Sequence, residues 1–239
     1  YLPELAGLKV FESFDAASGA YKLRPASRPP TVRHFLTHTS GLAYPFTSEI
    51  WRDFRPRDGK IYPYGGPLLF DPGERWHYST STDVVGRLVE VIADQKLEDY
   101  FREHIFAPLG MPDTSYNVPV AKAERLVAQQ QRGGPRMDGA IELQDPQFGL
   151  SIPSPIGGGG LASTAEDYGR FIRMWLNGGV LDGARVLKPQ AEALMGEKHI
   201  GPAPKTGREN ALPHHGGLSP IPSTQAKWRP ALPSSSAQT

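Results

Sequence analysis

The sequence contains no cysteine and carries almost no net charge. The absence of cysteine excludes a disulfide scaffold, a cysteine-ligated zinc site and a thiol nucleophile. The 26 basic and 25 acidic side chains leave a formal net charge of +1 at pH 7, so there is no strong positive field to attract a polyanion. We therefore do not expect a nucleic-acid partner.

Long apolar runs are also absent. Charged residues, glycine or proline interrupt the apolar stretches within a few residues, whereas a membrane-spanning helix needs roughly 18 consecutive apolar residues. We therefore predict no membrane span. Residues 1–5 do not show the basic region and apolar region of a secretory signal, so the cellular location stays open, as does the oligomeric state.

Apolar periodicity and capping residues predict a chain dominated by helices. Thr31 is an N-cap candidate, and the capping box 163–166 begins the helix with the clearest pattern. Helices are predicted over 32–37, 82–95, 97–106, 163–177 and 189–195. The inward face of the helix over 163–177 is predicted to contain Tyr168, Phe171, Ile172, Trp175 and Leu176. Residues 1–30 are predicted to form an extended surface connection, and short strands are expected near 127–131, 140–143 and 180–187.

The composition changes after residue 200. Prolines recur through 201–239, a serine run lies at 234–236, and no alternating apolar pattern indicates a strand. We therefore predict a partial folded domain over 1–200, followed by an irregular or disordered Pro/Ser-rich tail over 201–239.

Four segments carry recognisable motifs. In this order and at these intervals they resemble the serine β-lactamase-like superfamily, which includes class C β-lactamases, family VIII carboxylesterases and penicillin-binding-protein-like proteins. The resemblance covers roughly residues 1–195. It implies an α+β fold of the β-lactamase/transpeptidase type, of which the mainly helical part is best represented here. The segments are Thr31 to Leu42 (TVRHFLTHTSGL), Pro72 to Ser79 (PGERWHYS), Ile105 to Met111 (IFAPLGM) and Gly157 to Tyr168 (GGGGLASTAEDY).

The resemblance implies acyl transfer, in which a serine hydroxyl attacks an ester or amide carbonyl and forms an acyl-enzyme. In this superfamily, a lysine three residues after the serine and a tyrosine from another loop share the removal of the hydroxyl proton. Tyr78 matches that tyrosine and is the predicted catalytic residue. No serine lies three residues before any lysine, so the Ser-x-x-Lys pair is absent from these 239 residues, and we expect it N-terminal to them.

Three further residues are predicted to bind substrate. Thr80 occupies the third position of the Tyr-x-Asn motif of β-lactamases, where a hydroxyl cannot offer the two N–H donors of asparagine, which favours esters over β-lactams. His215 and Gly216 lie in the segment 214–217 (HHGG), which resembles the His-x-Gly or Trp-Gly-Gly version found in esterase relatives. The segment 205–207 spells the Lys-Thr-Gly motif of β-lactamases, but prolines precede it and no strand pattern flanks it, so a chance match is preferred.

Other features receive a structural interpretation. His38 lies in the His-Thr-Ser-Gly turn, where hydrogen bonding within the loop is preferred to catalysis. The glycine run 157–160 lacks the Gly-Lys-Ser/Thr ending of a phosphate loop. No histidine pair at helical spacing accompanies a carboxylate, so no metal is predicted, and no cofactor is implied. Ordinary packing is preferred to the lining of an acyl pocket for Tyr44, Trp51, Tyr62 and Tyr64.

The predicted function is that of a serine acyl hydrolase that forms an acyl-enzyme, with a carboxylesterase for short-chain esters as the first choice. The alternatives are a β-lactamase or D-aminopeptidase relative, and a non-catalytic remnant that binds β-lactams. In each case the expected partner is a small-molecule ester or β-lactam. Because the Ser-x-x-Lys pair is missing, the 239 residues alone are predicted to be catalytically incomplete.

Overall fold

The computed structural model describes residues 1–56, 64, 66–127, 130–132, 141–143 and 155–201. These residues form α-helices, three β-hairpins and short 3₁₀ and π turns. The helices are α1 (Val32–Leu36), α2 (Glu49–Asp53), α3 (Ser81–Ala93), α4 (Leu97–Phe101), α5 (Ala107–Leu109), α6 (Ala165–Leu176) and α7 (Pro189–Gly196). The strands are β1 (Lys9–Asp15), β2 (Ala20–Pro25), β3 (Gln130–Arg132), β4 (Ile141–Leu143), β5 (Val180–Leu181) and β6 (Ala184–Arg185).

An antiparallel hairpin of β1 and β2 lies within residues 1–30, so the prediction of a surface connection there is wrong. The backbone N–H of Phe11 donates to the carbonyl of Leu68 (2.9 Å), and the N–H of Leu68 donates to the carbonyl of Lys9 (2.8 Å). The pairing register shifts between Phe11 and Ser13. This shift interrupts the alternation of apolar residues that would indicate a strand in the sequence. Burial of Phe11 makes this hairpin part of the core.

The predicted helix starts lie within two residues of the observed ones. The Thr31 side chain accepts the backbone N–H of His34, and the His34 ring accepts the N–H of Thr31, which completes a capping box. At α6 the cap is Thr164, whose hydroxyl oxygen accepts the N–H of Asp167 (3.2 Å). The helix therefore begins two residues later than the predicted position 163.

The inward face predicted for α6 is only partly correct. Tyr168 is 59% exposed and Leu176 is 78% exposed, whereas Asp167 and Met174 are buried. A carboxylate occupies the inward face because Asp167 accepts hydrogen bonds from the N–H and the hydroxyl of neighbouring residues in the 113–114 loop. Those bonds offset the cost of burying its charge.

The helix predicted over 97–106 continues to Leu109 through Pro108. A π turn over Arg102–Phe106 separates α4 from α5 and widens the helix just before the proline, where the regular i→i−4 bond is lost. Gly110 then ends the helix in the left-handed conformation (φ 62°).

Two apolar clusters hold the described residues together. The first joins the β1–β2 hairpin to the segments on either side of α2, and the second lies between α5 and α6. The strands at 130–132, 141–143 and 180–185 confirm the predicted positions: β3 pairs with β4 in one two-stranded hairpin, and β5 pairs with β6 in another. The first cluster contains Val10, Phe11, Phe35, Leu42, Ala43, Trp51, Phe54, Leu68 and Val84, and the second contains Phe106, Leu109, Met111, Met174 and Leu181.

None of the helices in the described ranges is long and apolar enough to cross a bilayer. Over the same ranges, no group of three or more His, Cys, Asp or Glu side chains could hold a metal ion.

Candidate active site

Tyr78 presents its side chain from an otherwise buried segment. Its neighbours His77 and Ser79 are buried, whereas Tyr78 is 40% exposed. Three aromatic rings surround it, with centroid distances of 4.9 Å to His38, 5.5 Å to Tyr44 and 6.4 Å to Phe46. The phenol therefore stands in an aromatic cluster that solvent can reach.

The backbone of Tyr78 is fixed from two directions. The Thr47 hydroxyl lies 3.2 Å from the carbonyl oxygen of Tyr78 and 3.1 Å from Nε2 of His77. On the other side, the N–H of His77 donates to the carbonyl of His38 (2.9 Å). A residue held through its main chain can expose its side chain with little freedom to move, which is what a positioned reactive group requires.

A chain of buried hydroxyls lies behind Tyr78. The Ser81 hydroxyl is 2.7 Å from that of Ser40 and 2.7 Å from that of Ser79, and all three serines are fully buried. Ser79 in turn lies 3.3 Å from Nδ1 of His38. The His-Thr-Ser-Gly turn and the Tyr-Ser segment are therefore connected, since each motif supplies hydrogen-bonding partners for the other.

The turn that contains His38 has backbone conformations that few residue types adopt. His38 adopts a left-handed conformation (φ 54°), and Gly41 follows with φ 91°. A Cβ atom at Gly41 would collide with the carbonyl oxygen of Phe70, so only glycine fits there. The left-handed His38 directs its ring toward Tyr78, so the strain is located at the candidate site.

The glycine run 157–160 approaches α3 very closely. A Cβ atom on Gly86 would lie 2.8 Å from the backbone nitrogen of Gly157, and a Cβ on Gly157 would collide with the carbonyl oxygen of Thr82. The N–H of Gly158 donates to the Asp83 carboxylate (2.7 Å). The glycines thus allow close backbone packing beside the candidate site, in agreement with the rejection of a phosphate loop.

Burial shifts the protonation equilibria of several groups near Tyr78. Burial, followed by the positive charge of Arg75 and the charge that His38 carries when it is protonated, lowers the pKa of His77 to about 4. Burial also lowers the pKa of His38. Burial, followed by the negative charge of Asp83, raises the pKa of Tyr44 to about 12. The site therefore keeps both histidines and Tyr44 neutral near pH 7.

The low pKa of His77 predicts an acid-dependent loss of stability. In the unfolded chain His77 binds a proton below its ordinary value of 6.5, whereas the folded protein binds it only below about 4. The unfolded state then carries more protons between these values, so the free energy of unfolding should fall as the pH drops from 6.5 to 4. We expect the loss to reach about 2 to 3 kcal/mol.

Urea unfolding of wild type and His77→Gln between pH 7 and pH 4 measures this effect. Glutamine can keep a hydrogen bond to Thr47 but does not titrate, so its stability should depend less steeply on pH than that of the wild type. The difference between the two curves isolates His77 from His34 and His38, whose pKa values are also lowered. Parallel curves would show that His77 does not contribute.

The described structure contains some of the predicted site residues but not all. Tyr78 lies in the aromatic cluster, and the Thr80 hydroxyl donates to the carbonyl of Tyr64 (3.1 Å). His215 and Gly216 lie outside the described residues, as do the Lys-Thr-Gly segment 205–207, Tyr62 and the tail 202–239. Trp51 is buried and donates from Nε1 to the carbonyl of Pro67 (2.9 Å), which confirms its packing role.

Three residues at the site are not in the predicted set: His38, Tyr44 and Asp83. The hydrogen bonds of His38 agree with a structural role, but its ring also contacts Tyr78. Tyr44 contacts Tyr78 as well, so ordinary packing does not describe it fully. In the sequence, Asp83 is an ordinary acidic residue in the first turn of a helix. Its hydrogen bond with Gly158 joins residues that are 75 positions apart, so no local pattern could predict it.

The α+β arrangement of helices and small antiparallel sheets is that of the serine β-lactamase/transpeptidase-like superfamily. Both the predicted fold class and the predicted superfamily are confirmed. The chain belongs to the Beta-lactamase family, whose model matches residues 1–228.

Two curated relatives and one solved structure show what the chain is similar to. The acyltransferase mokF of Monascus pilosus is 31% identical over 231 residues, which are 92% of this chain and 53% of the relative. The lovastatin esterase of Penicillium rubens is 31% identical over 225 residues, or 88% of this chain and 54% of the relative. The LovD6 mutant of simvastatin synthase from Aspergillus terreus superposes with a TM-score of 0.72 at 31% identity, and the match covers 84% of this chain and 49% of that structure.

The chain spans about half the length of the curated relatives that it matches. The relatives with a named activity include acyltransferases and an esterase.

Proposed function

We propose that these residues form part of a serine acyl hydrolase that acts on short-chain carboxylic esters through an acyl-enzyme. The observation that carries the proposal is the exposed Tyr78 side chain on a backbone fixed by Thr47 and His38. A phenol held in this way can pass a proton between a serine oxygen and the departing alcohol, as general acid–base catalysis requires.

In this proposal the nucleophile is the serine of a Ser-x-x-Lys pair, and these 239 residues contain no such pair. Attack by the serine oxygen on the ester carbonyl would form the acyl-enzyme and release the alcohol, which takes up the serine proton. Water would then attack the acyl-enzyme and release the acid. An alcohol in place of water would give acyl transfer, and this fits a family whose members are named as both esterases and acyltransferases.

Thr80 supports an ester substrate over a β-lactam. Its hydroxyl donates to the Tyr64 carbonyl, so its one proton is already engaged. An asparagine at this position would offer two N–H donors to an amide substrate, whereas Thr80 offers none in this arrangement. His215 and Gly216 remain proposed substrate-binding residues on the strength of the motif alone.

Substrate assays on the full-length gene product test the proposal. We expect hydrolysis of p-nitrophenyl acetate and butyrate, a transient mass increase equal to the acyl group, and slow or no turnover of nitrocefin. Added short-chain alcohol should divert part of the acyl group into a new ester. Faster turnover of nitrocefin than of the esters would favour the β-lactamase alternative, and the absence of any acyl adduct with any of these substrates would refute acyl-enzyme chemistry.

A further inference from the structure

The environment of Tyr44 suggests a role beyond packing. Its ring lies 5.5 Å from that of Tyr78 and stacks on Phe46 at 4.8 Å with an interplanar angle of 15°. Its phenol oxygen lies with the Thr82 hydroxyl and the Asp83 carboxylate around Gly158, since a Cβ at that glycine would lie 3.0, 3.1 and 2.5 Å from these three oxygens. The phenol is therefore held both at its face and at its polar end.

Asp83 connects three segments of the chain. It lies in the first turn of α3, stands beside the Tyr44 phenol of the 44–47 loop, and accepts the N–H of Gly158 at 2.7 Å. The space around these groups is tight, because a Cβ on Gly158 would lie 2.5 Å from Oδ1 of Asp83 and 3.0 Å from the Tyr44 oxygen. The carboxylate is thus the common partner of the aromatic cluster and the glycine run.

Tyr44 is poorly suited to exchange protons with a substrate. Its oxygen lies among the polar groups of Thr82 and Asp83, and burial, followed by the charge of Asp83, raises its pKa to about 12. Its ring, in contrast, forms one wall of the space that Tyr78 occupies. Any movement of Tyr44 would change the space available to the Tyr78 ring.

We propose that Asp83 and Tyr44 are a positioning pair, in which Asp83 fixes the phenol of Tyr44 and the ring of Tyr44 fixes that of Tyr78. This inference rests on the proposed function of Tyr78. Neither member of the pair touches the reacting atoms, so their removal affects the orientation of Tyr78 more than substrate binding. Small misplacements of a reactive group are costly, since the rate depends on its alignment with the substrate.

Steady-state kinetics of three variants of the full-length protein test the pair. Asp83→Ala should lower kcat for p-nitrophenyl butyrate by about tenfold to fiftyfold, with KM changed by less than about threefold. Tyr44→Phe, which keeps the ring, should lower kcat by about threefold to tenfold. Asp83→Asn should retain most of the activity, because its amide can accept from Gly158 and still pair with Tyr44. The double variant Tyr44→Phe/Asp83→Ala should be no slower than Asp83→Ala alone, since both changes interrupt one connection.

A second readout does not depend on activity. The protein is labelled with 3-fluorotyrosine, and the ¹⁹F resonance of Tyr78 is assigned from its loss in Tyr78→Phe. This resonance should shift or broaden in Asp83→Ala and in Tyr44→Phe. In Asp83→Asn it should stay near its original position. If Asp83→Ala does not fold, Tyr44→Phe and Asp83→Asn still provide the comparison.

The two readouts separate this inference from the proposed function. Loss of activity in Tyr78→Phe, with unchanged kcat and an unchanged ¹⁹F signal in Tyr44→Phe and Asp83→Ala, would overturn the positioning pair alone. Full activity in Tyr78→Phe, with a perturbed ¹⁹F signal in the pair variants, would overturn the catalytic role of Tyr78 and leave the structural coupling established.

Discussion

Tyr78→Phe in the full-length protein should lower kcat for ester hydrolysis by about two to four orders of magnitude, the range expected when a positioned acid–base group is removed. The substitution deletes only the hydroxyl. The contacts that hold Tyr78 are made by its carbonyl, by the buried residues on either side and by its ring, and phenylalanine retains all of them. KM should therefore change far less than kcat.

Tyr168→Phe is the matched control. Tyr168 lies on α6, is 59% exposed, and stacks on Phe171 with a centroid distance of 6.3 Å. Loss of its hydroxyl should leave both kcat and the midpoint of thermal unfolding unchanged. If Tyr78→Phe kept near-full activity with an unchanged unfolding midpoint, Tyr78 would be a structural residue and its catalytic assignment would be wrong.

Gly86→Ala should lower the free energy of unfolding by about 3 kcal/mol, at the upper end of the usual cost of overpacking. The new Cβ would lie 2.8 Å from the backbone nitrogen of Gly157 and 2.9 Å from its Cα. Backbone cannot rotate away as a flexible side chain can, so α3 and the glycine run would have to separate. The same displacement would strain the hydrogen bond between Gly158 and Asp83.

Gly169→Ala serves as the comparison for this effect. Gly169 lies inside α6, and a Cβ there meets no heavy atom within 4 Å. Alanine should therefore stabilise the protein by about 0.5 to 1 kcal/mol through its higher helix propensity. Urea unfolding of both variants measures the two effects. Equal changes in both would show that helix propensity, and not the contact with Gly157, determines the result at residue 86.

Local sequence signals identified the helices well but failed for the N-terminal hairpin. The cap at Thr31 was predicted, and the cap at Thr164 lies one residue after the predicted Ser163; both involve partners three residues away, so signals of this kind are visible in the sequence. The strand β1 is different, because the register shift near Phe11 hides its alternation and its further backbone partner is the distant Leu68. Pairing with a remote segment depends on tertiary structure, which short windows of sequence do not contain.

The residues of the candidate site likewise differ in whether a local sequence pattern or only the tertiary structure reveals them. Tyr78 was predictable because its motif, with the turn before it and the helix after it, is contiguous in sequence. Tyr44 and Asp83 depend on the folded arrangement, since their contacts with Tyr78 and Gly158 join separate segments. Asp83 also has the sequence context of an ordinary helix-capping carboxylate, so its second partner could not be inferred.

The chain of buried hydroxyls at Ser40, Ser81 and Ser79 has a consequence for the evolution of this family. These residues stabilise the frame, so selection for folding alone would preserve them whether or not the protein still catalyses a reaction. Under the proposed catalytic role of Tyr78, a descendant that exchanged only this residue would keep the same motifs around an inactive centre. Sequence searches for pseudoenzymes in this family should therefore examine the exposed tyrosine itself, because the motifs around it indicate only that the fold is retained.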